Sequence, residues 1–233
     1  MTVTEIAIIQ VHTGITDSTL RDTFSRAITA QDAWYARAFP DRPSSASARA
    51  VACFRGIDDE TQILLTTSWG SVEEHWAWIL SDDNKQQMEG SDLTKIIANQ
   101  GPPNQPGGLI LFHLDKDIFG NNQATTAKDV IALLDSPVIS VERFLVDTEK
   151  KESFAATLQK VEASMAKVVH PHLVRSGRSV DHETGGEEFV LVSGWSCVES
   201  HTQEFVASSQ SFLYSQLAGI ASSVETQHHR RFL

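Results

Sequence analysis

The sequence predicts an α+β protein made of two tandem units that share one order of strands and helices. Two observations carry this prediction. A segment of the first half recurs in the second half, and the spacing of apolar residues alternates between strand-like and helix-like in the same order in both. A chain of 233 residues, 41% of them hydrophobic, is long enough to bury two cores.

The recurring segment reads LLTTSWGSVEEH at residues 64–75 and VLVSGWSCVESH at residues 190–201. The two stretches align without a gap. Among the identical residues in register, each 126 positions from its partner, are Trp69 and Trp195, Val72 and Val198, Glu73 and Glu199, and His75 and His201. Because both identity and spacing are kept, the segment indicates an internal repeat.

Each half opens with a strand and a helix. Residues 6–12 and 138–144 are rich in β-branched side chains, as is typical of strands. The helix that follows has apolar residues at helical spacing in both copies: Leu20, Phe24 and Ile28 in the first, and Phe154, Leu158 and Val161 in the second. Prolines and serines at 39–47 predict a longer loop after the first of these helices.

A strand pair, a second helix and a last strand complete each half. The pair is predicted at 47–57 and 62–69, and again at 173–180 and 188–195 with a glycine turn at 185–186; the helix begins at Ser71 or Cys197; the last strand covers 108–114 or 224–232. Strand, helix, strand, strand, helix, strand is the ferredoxin-like order, βαββαβ. We therefore expect two ferredoxin-like units whose antiparallel sheets pack together within one chain.

The predicted boundaries place the first unit at residues 1–115 and the second at residues 137–233. Residues 116–136 between them are polar, with a glycine- and asparagine-containing centre at 120–126. This composition is typical of an inter-domain linker. One short helix is predicted inside it, at 127–134.

Charge and hydropathy exclude several classes of partner. Thirty acidic residues against nineteen basic ones give a net charge of -11, which repels nucleic acid and anionic lipid surfaces. No apolar stretch approaches the roughly 20 residues of a membrane helix, and the N-terminal residues lack the basic segment of a secretory signal. We expect a cytoplasmic protein that binds neither nucleic acid nor membrane. Cys53 and Cys197 are too few for a disulfide framework or a cysteine zinc site.

A strand that ends in Trp, followed by Val-Glu-x-His at the start of a helix, occurs at 68–75 and 194–201. This pattern resembles the dimeric α+β barrel superfamily, and especially its tandem antibiotic-biosynthesis-monooxygenase-like (ABM) domains. The resemblance implies that one chain supplies both halves of the barrel, as a pseudo-dimer; further association into a homodimer stays open. It also implies a mostly apolar cavity between the sheet and the helices of each half, which suits a small aromatic or polyketide-like ligand.

Tryptophans and helix histidines are the candidate substrate-binding residues: Trp69, Trp76, Trp78, His75, Trp195 and His201. For the residues present in both copies, a structural role as packing anchor or clasp is the alternative, because a duplicated protein keeps its fold determinants in both halves. Trp76 and Trp78 are peculiar to the first copy, since Thr202 and Glu204 stand at the positions 126 residues on. This asymmetry favours a role in function.

His113 on the last strand of the first copy, and His12 near the end of its first strand, are the candidate catalytic residues. A neutral imidazole is a suitable base near pH 7. The resemblance implies a cofactor-independent monooxygenase of secondary metabolism. In such an enzyme a base forms a carbanion from an aromatic polyketide-like substrate, the carbanion reduces dioxygen, and a dry pocket excludes water.

Two alternatives remain on the same fold: a polyketide cyclase or isomerase, and a haem-binding or non-catalytic ligand-binding protein. Trp78 stands nine residues after Trp69, a spacing found in haem-degrading relatives, but Met88 occupies the position of their histidine ligand. No nucleotide-binding glycine loop or nucleophile elbow occurs, so no cofactor is expected. No metal site is expected either, because His170 and His172 lack acidic or cysteine partners at a suitable spacing.

Overall fold

The computed structural model describes residues 2–101, 103–105, 108–120, 129–181, 186–209 and 211–233. Contacts divide the chain into two compact units. The first contains Met1–Gly120 and Arg231–Leu233, and the second contains Asn121–Arg230. The centre of the predicted linker, residues 121–128, and Gly185 of the predicted turn lie outside the described residues.

The first unit has the predicted βαββαβ order with two short helices added. Its elements are β1 (Val3–Gln10), α1 (Asp17–Ala38), β2 (Ala52–Gly56), β3 (Gln62–Trp69), α2 (Val72–Ile79), α3 (Asp82–Gly90), α4 (Leu93–Ile96) and β4 (Ile110–Leu114). The strands form an antiparallel sheet in the order β4-β1-β3-β2. Apolar side chains of α1, including Leu20 and Phe24, pack against Ile9 and Ile63 of the sheet.

The second unit repeats this order. Its elements are β5 (Val138–Val146), α5 (Lys151–Val168), β6 (Val174–Arg178), β7 (Glu187–Trp195), a π-helical segment (Ser200–Phe205), α6 (Ser211–Ile220) and β8 (Ser223–Arg231). The antiparallel order β8-β5-β7-β6 matches that of the first unit, strand for strand. The α+β class and the two ferredoxin-like units are therefore confirmed. Of the helix predicted at 127–134, a 3-10 turn at Leu133–Asp135 is described.

The first strand and its neighbour differ from the prediction. β1 begins at Val3, so Glu5 lies inside the strand and His12 lies beyond its end. Residues 47–50 form a turn instead of a strand, and Ala50 has a positive φ of 50° that breaks extended structure before β2 begins at Ala52. Arg49 consequently lies in this turn and not in a strand, and its side chain is buried.

The last three residues belong to the first unit. The Cys53 N–H of β2 donates to the Leu233 carbonyl, and the Phe232 N–H donates to the Cys53 carbonyl, both at 3.0 Å. The Phe232 ring is buried and meets Phe24 of α1 edge-on, with ring centroids 6.0 Å apart. The first unit thus takes part of its core from beyond the second unit in sequence.

Among the described residues, every helix is too short or too polar to span a lipid bilayer.

Candidate functional site

A cavity of about 150 Å³ lies in the first unit, between the sheet and helices α1, α2 and α3. Its wall is mostly apolar, with Phe24, Leu65 and Leu111 among the side chains that form it. This is the place that the resemblance implied for a ligand. Five polar side chains interrupt the apolar wall: Glu5, Gln31, His75, Asn84 and Gln87.

Four side chains meet at one end of this cavity, and we call them the first-unit cluster: Glu5, Trp69, His75 and His113. The Trp69 indole N–H donates to Glu5 Oε2 at 2.7 Å. His75 Nε2 lies 3.4 Å from the same Glu5 oxygen, and His75 Nδ1 is 2.7 Å from His113 Nε2. All four residues are buried, so carboxyl, indole and two imidazoles form one connected polar group away from solvent.

Strand register brings the members of this cluster together. Glu5 of β1 lies directly opposite His113 of β4, and directly opposite strand partners point to the same face of a sheet. Trp69 is the last residue of β3, paired with Val3 two residues before Glu5. Its ring then lies flat on that of His75, with centroids 4.8 Å apart.

Helix α2 carries His75, and hydrogen bonds at the start of this helix fix the position of its first turn. Ser71 is the N-cap, and its hydroxyl accepts from the Glu74 N–H at 3.3 Å. The Glu74 carboxylate in turn accepts from the Gly70 N–H at 3.1 Å and from the Tyr35 hydroxyl at 3.4 Å, and it pairs with Arg42. These contacts tie the end of β3 and helix α1 to the first turn of α2, one residue before His75.

Burial dominates the electrostatics of the cluster. It raises the pKa of Glu5 from its ordinary value to about 7, although the Trp69 hydrogen bond and, after it, the electrostatic effects of His113 and Arg49 act in the opposite direction. A carboxyl with a pKa near 7 can both accept and donate a proton at neutral pH. The cavity wall thus carries an acid–base group in an apolar setting.

Arg49 places a buried positive charge behind this wall. Its guanidinium lies over the rings of Tyr35 and Trp69, 4.6 and 5.2 Å from their centroids. One of its nitrogens pairs with Asp32 at 2.5 Å and donates to Gln31 Oε1 at 3.0 Å. Because the Gln31 oxygen already accepts a hydrogen bond from Arg49, the Gln31 side chain presents its amide NH₂ group as a donor to a ligand.

Of the six predicted residues of the first unit, the structure places two on the cavity wall, two more in the first-unit cluster and two away from the site. His75 and Trp78 line the cavity, and Trp69 anchors Glu5 beside it. His113 is buried behind His75 and does not line the cavity. Trp76 is 40% exposed, on the outer side of α2.

His12, predicted near the end of the first strand as a catalytic candidate, lies beyond that strand and does not line the cavity. His12 lies past the end of β1, its side chain is exposed, and its backbone N–H donates to the Ile96 carbonyl at 2.9 Å. The predicted strand was shifted toward the C-terminus, and that shift placed His12 on the sheet.

The second unit has a related cluster that includes the remaining two predicted residues. Trp195 stacks on His201 with centroids 4.7 Å apart, and His201 Nδ1 lies 2.9 Å from His228 Nε2. The Trp195 indole N–H meets two hydroxyls, those of Ser140 at 3.0 Å and Ser193 at 3.1 Å. These residues form the second-unit cluster together with Glu142, whose Oε1 is 3.4 Å from His201 Nε2.

Sequence reasoning missed the two carboxyls, Glu5 and Glu142. Each is an acidic residue in a strand that is otherwise largely apolar, and each is at most 3% exposed. An acidic residue inside such a strand was the available signal, since buried carboxyls are rare unless they are paired or functional. Within the described residues, no group of three or more His, Cys, Asp or Glu side chains could hold a metal ion.

Comparison with known proteins shows what fold this is. No protein family model matches the chain, and no curated protein matches it. Solved structures do. An anthrone oxidase-like protein has a TM-score of 0.64 at 11% identity, over 99% of this chain and 91% of its own. A candidate monooxygenase from Fusobacterium nucleatum has a TM-score of 0.58 at 11% identity, over 100% and 93%.

A second candidate monooxygenase, from Lactobacillus acidophilus, has a TM-score of 0.55 at 11% identity and covers 100% of this chain and 94% of its own. A variant of chlorite dismutase from Candidatus Nitrospira defluvii has a TM-score of 0.57 at 9% identity, over 99% and 91%. At such identities the likeness shows the fold alone. The chain has the dimeric α+β barrel fold that its repeated Trp and Val-Glu-x-His pattern predicted.

Proposed function

We propose that this chain is a cofactor-independent oxygenase of a small aromatic, polyketide-like substrate, and that the reaction takes place in the first-unit cavity. The observation that carries the proposal is the first-unit cluster itself. An acid–base carboxyl and an imidazole pair stand at one end of an otherwise apolar cavity. Likeness in fold to candidate monooxygenases and to an anthrone oxidase-like protein supports the same reaction class.

The residues present can perform the proton chemistry of such a reaction. Glu5 and His75 line the cavity and take a proton from a phenol or an activated ring carbon, and the electron pair stays on the substrate. The electron-rich substrate reduces dioxygen directly: a CH₂ group and O₂ become a C=O group and water. Trp78 and the apolar wall keep bulk water from the carbanion.

His113 acts through His75. Its Nε2 is 2.7 Å from His75 Nδ1, so it sets which nitrogen of His75 holds the proton and how that ring is oriented. We therefore assign His113 as a positioning residue. The two groups that reach the substrate are His75 and Glu5.

Dioxygen uptake tests the proposal. Purified protein, treated with a metal chelator, is supplied with a panel of hydroxylated one-, two- and three-ring aromatics, and oxygen consumption and products are recorded. We expect uptake with at least one of them, and loss of uptake in His75→Ala but not in His12→Ala, since His12 is exposed and away from the cavity. Product formation without oxygen uptake would replace the oxygenase by an isomerase or cyclase that uses the same base. Binding without any product would indicate a ligand carrier.

A further inference from the structure

Glu5 is the sole acidic side chain among the described residues that line the cavity. Both of its close contacts use a single oxygen: Oε2 accepts from the Trp69 indole and faces His75 Nε2. Two rigid aromatic groups therefore hold the carboxyl in place at the cavity wall.

We propose that the first-unit cavity binds a phenol with a single ring, and that the Glu5 carboxylate takes the proton of its hydroxyl group. This inference rests on the proposed function, which it deepens by naming the substrate class and the proton acceptor. In the step, the phenol O–H bond breaks, an O–H bond forms on Glu5, and the electron pair stays on the phenolate oxygen. The charge of the cavity does not change.

The size of the cavity determines the number of rings. A cavity of about 150 Å³ with apolar walls accepts a ligand of about the size of benzene, whereas ligands of drug size need about 300 Å³ or more. Phe24 and Leu111 provide apolar surface for the faces of one ring. A fused three-ring system exceeds the available volume.

The charged neighbours of Glu5 fit a phenol. The titratable and charged groups that face it are His75 from α2, His113 from β4, and Arg49 from the turn before β2. All three are basic side chains and the Arg49 guanidinium is always charged, so a phenolate formed at this end of the cavity gains a favourable charge interaction. The Glu5 pKa of about 7 leaves a substantial fraction of the carboxylate ionised, and therefore able to accept a proton, at neutral pH.

The test uses 4-nitrophenol, whose phenolate absorbs visible light, in an anaerobic titration at pH 7, where a substantial fraction of Glu5 is ionised. The phenolate absorbance of the free ligand at the same pH is the baseline. We expect the intact protein to bind it and to develop the phenolate band. Glu5→Gln should lose most of that band and bind about tenfold more weakly or worse. Glu142→Gln is the matched control, a buried carboxyl of the second unit, and should behave like the unmodified chain.

Proton counting gives a second measurement, one that needs no variant. If the proton moves to a group in the protein, the band forms without release of protons to a weak buffer. The inference is overturned by equal release of protons, by an undiminished band in Glu5→Gln, by absence of binding, or by binding of a three-ring phenol in preference to 4-nitrophenol. Because oxygen is absent, binding and ionisation are separate from oxygenation. If the phenolate forms but no oxygen is taken up in air, the proposed oxygenase function is refuted and the inferred phenol binding stands.

Discussion

The two units hold the same three aromatic rings but place their carboxyls differently. Trp, His and His recur as Trp69, His75 and His113 in the first-unit cluster and as Trp195, His201 and His228 in the second. Strand pairing aligns Glu5 with Ser140, since each lies two positions after the residue that pairs with the strand-end Trp, and directly opposite the strand histidine. The same register aligns Glu142 with Ala7.

This difference separates what the fold needs from what a site needs. The stacked Trp–His pair and its second histidine are kept in both units, as expected of a structural clasp. Ala7 lines the cavity of the first unit, whereas Glu142 at the equivalent position is fully buried, with its Oε1 3.4 Å from His201 Nε2. The position of one carboxyl, two residues along a strand, is therefore the chemical difference between the clusters.

The largest expected effect is on catalysis. Glu5→Gln should lower oxygen uptake about 100-fold or more, because it removes the group that exchanges protons with the substrate. Glu142→Gln should stay within about twofold of the unmodified chain. Steady-state oxygen-electrode rates, with far-UV circular dichroism as the check on folding, measure both. Equal losses in the two variants would show that the carboxyl position does not separate the units.

The pH dependence of stability should follow Glu142 more strongly than Glu5. Burial raises the pKa of Glu142 to about 8 and that of Glu5 to about 7. Between the ordinary pKa of about 4.5 and these values the folded chain holds a proton that the unfolded chain has lost, so stability falls as pH rises. Denaturant unfolding from about pH 5 to 8.5 should show this loss, of the order of a few kcal/mol in all.

Glu142→Gln should flatten that pH dependence more than Glu5→Gln, because a side chain that cannot ionise removes its share of the slope. The comparison uses the slope of the unfolding free energy against pH. A loss of stability that is the same at every pH therefore does not affect it. A slope unchanged in Glu142→Gln would mean that this carboxyl is ionised in the folded protein at neutral pH.

The tryptophans should differ in their effect on the activity profile. Trp69→Phe removes a hydrogen bond that lowers the pKa of Glu5, so the pH midpoint of oxygen uptake should rise by about one unit. Trp195→Phe should leave the midpoint in place, and the Ser140–Ser193 hydrogen bond of 2.7 Å can persist without the indole. The pH–rate profiles of both variants decide this, and a downward shift in Trp69→Phe would contradict the role given to its indole.

The smallest effects are expected at a matched pair of exposed apolar residues. Leu80 and Val206 stand 126 positions apart and are 68% and 62% exposed. Leu80→Ser and Val206→Ser should each change the free energy of unfolding by about 0.5 kcal/mol or less. Thermal unfolding measures the change, and light scattering on the same samples measures mass. A lower mass in either variant would show that the exposed residue is covered by a second chain.

The internal repeat allowed most of the fold to be predicted. How much of the site could be predicted depended on where the ends of the strands were placed. β3 was predicted residue for residue, and the helix predicted from Ser71 begins at Val72 with Ser71 as its N-cap. The site was incomplete because the first predicted strand began at Ile6, one residue after Glu5. Burial and pairing, which make Glu5 unusual, depend on a partner strand about one hundred residues later.

A second limit came from the π-helical segment at Ser200–Phe205. An i→i+5 turn accommodates one extra residue, so the buried aromatic after His201 is Phe205, four positions on, whereas after His75 it is Trp78, three positions on. The constant spacing of 126 pairs Trp78 with Glu204, which is exposed. Trp78 therefore has an aromatic counterpart that gap-free alignment could not find.

The attachment of Arg231–Leu233 to the first unit has a consequence for the order of events during synthesis. These residues are made after the entire second unit, yet Phe232 contributes a buried ring to the core of the first and the backbone pairs with Cys53. A ribosome-bound chain that has already produced all of Met1–Gly120 still lacks this part of its first core. The candidate catalytic half consequently completes its packing last, although it is translated first.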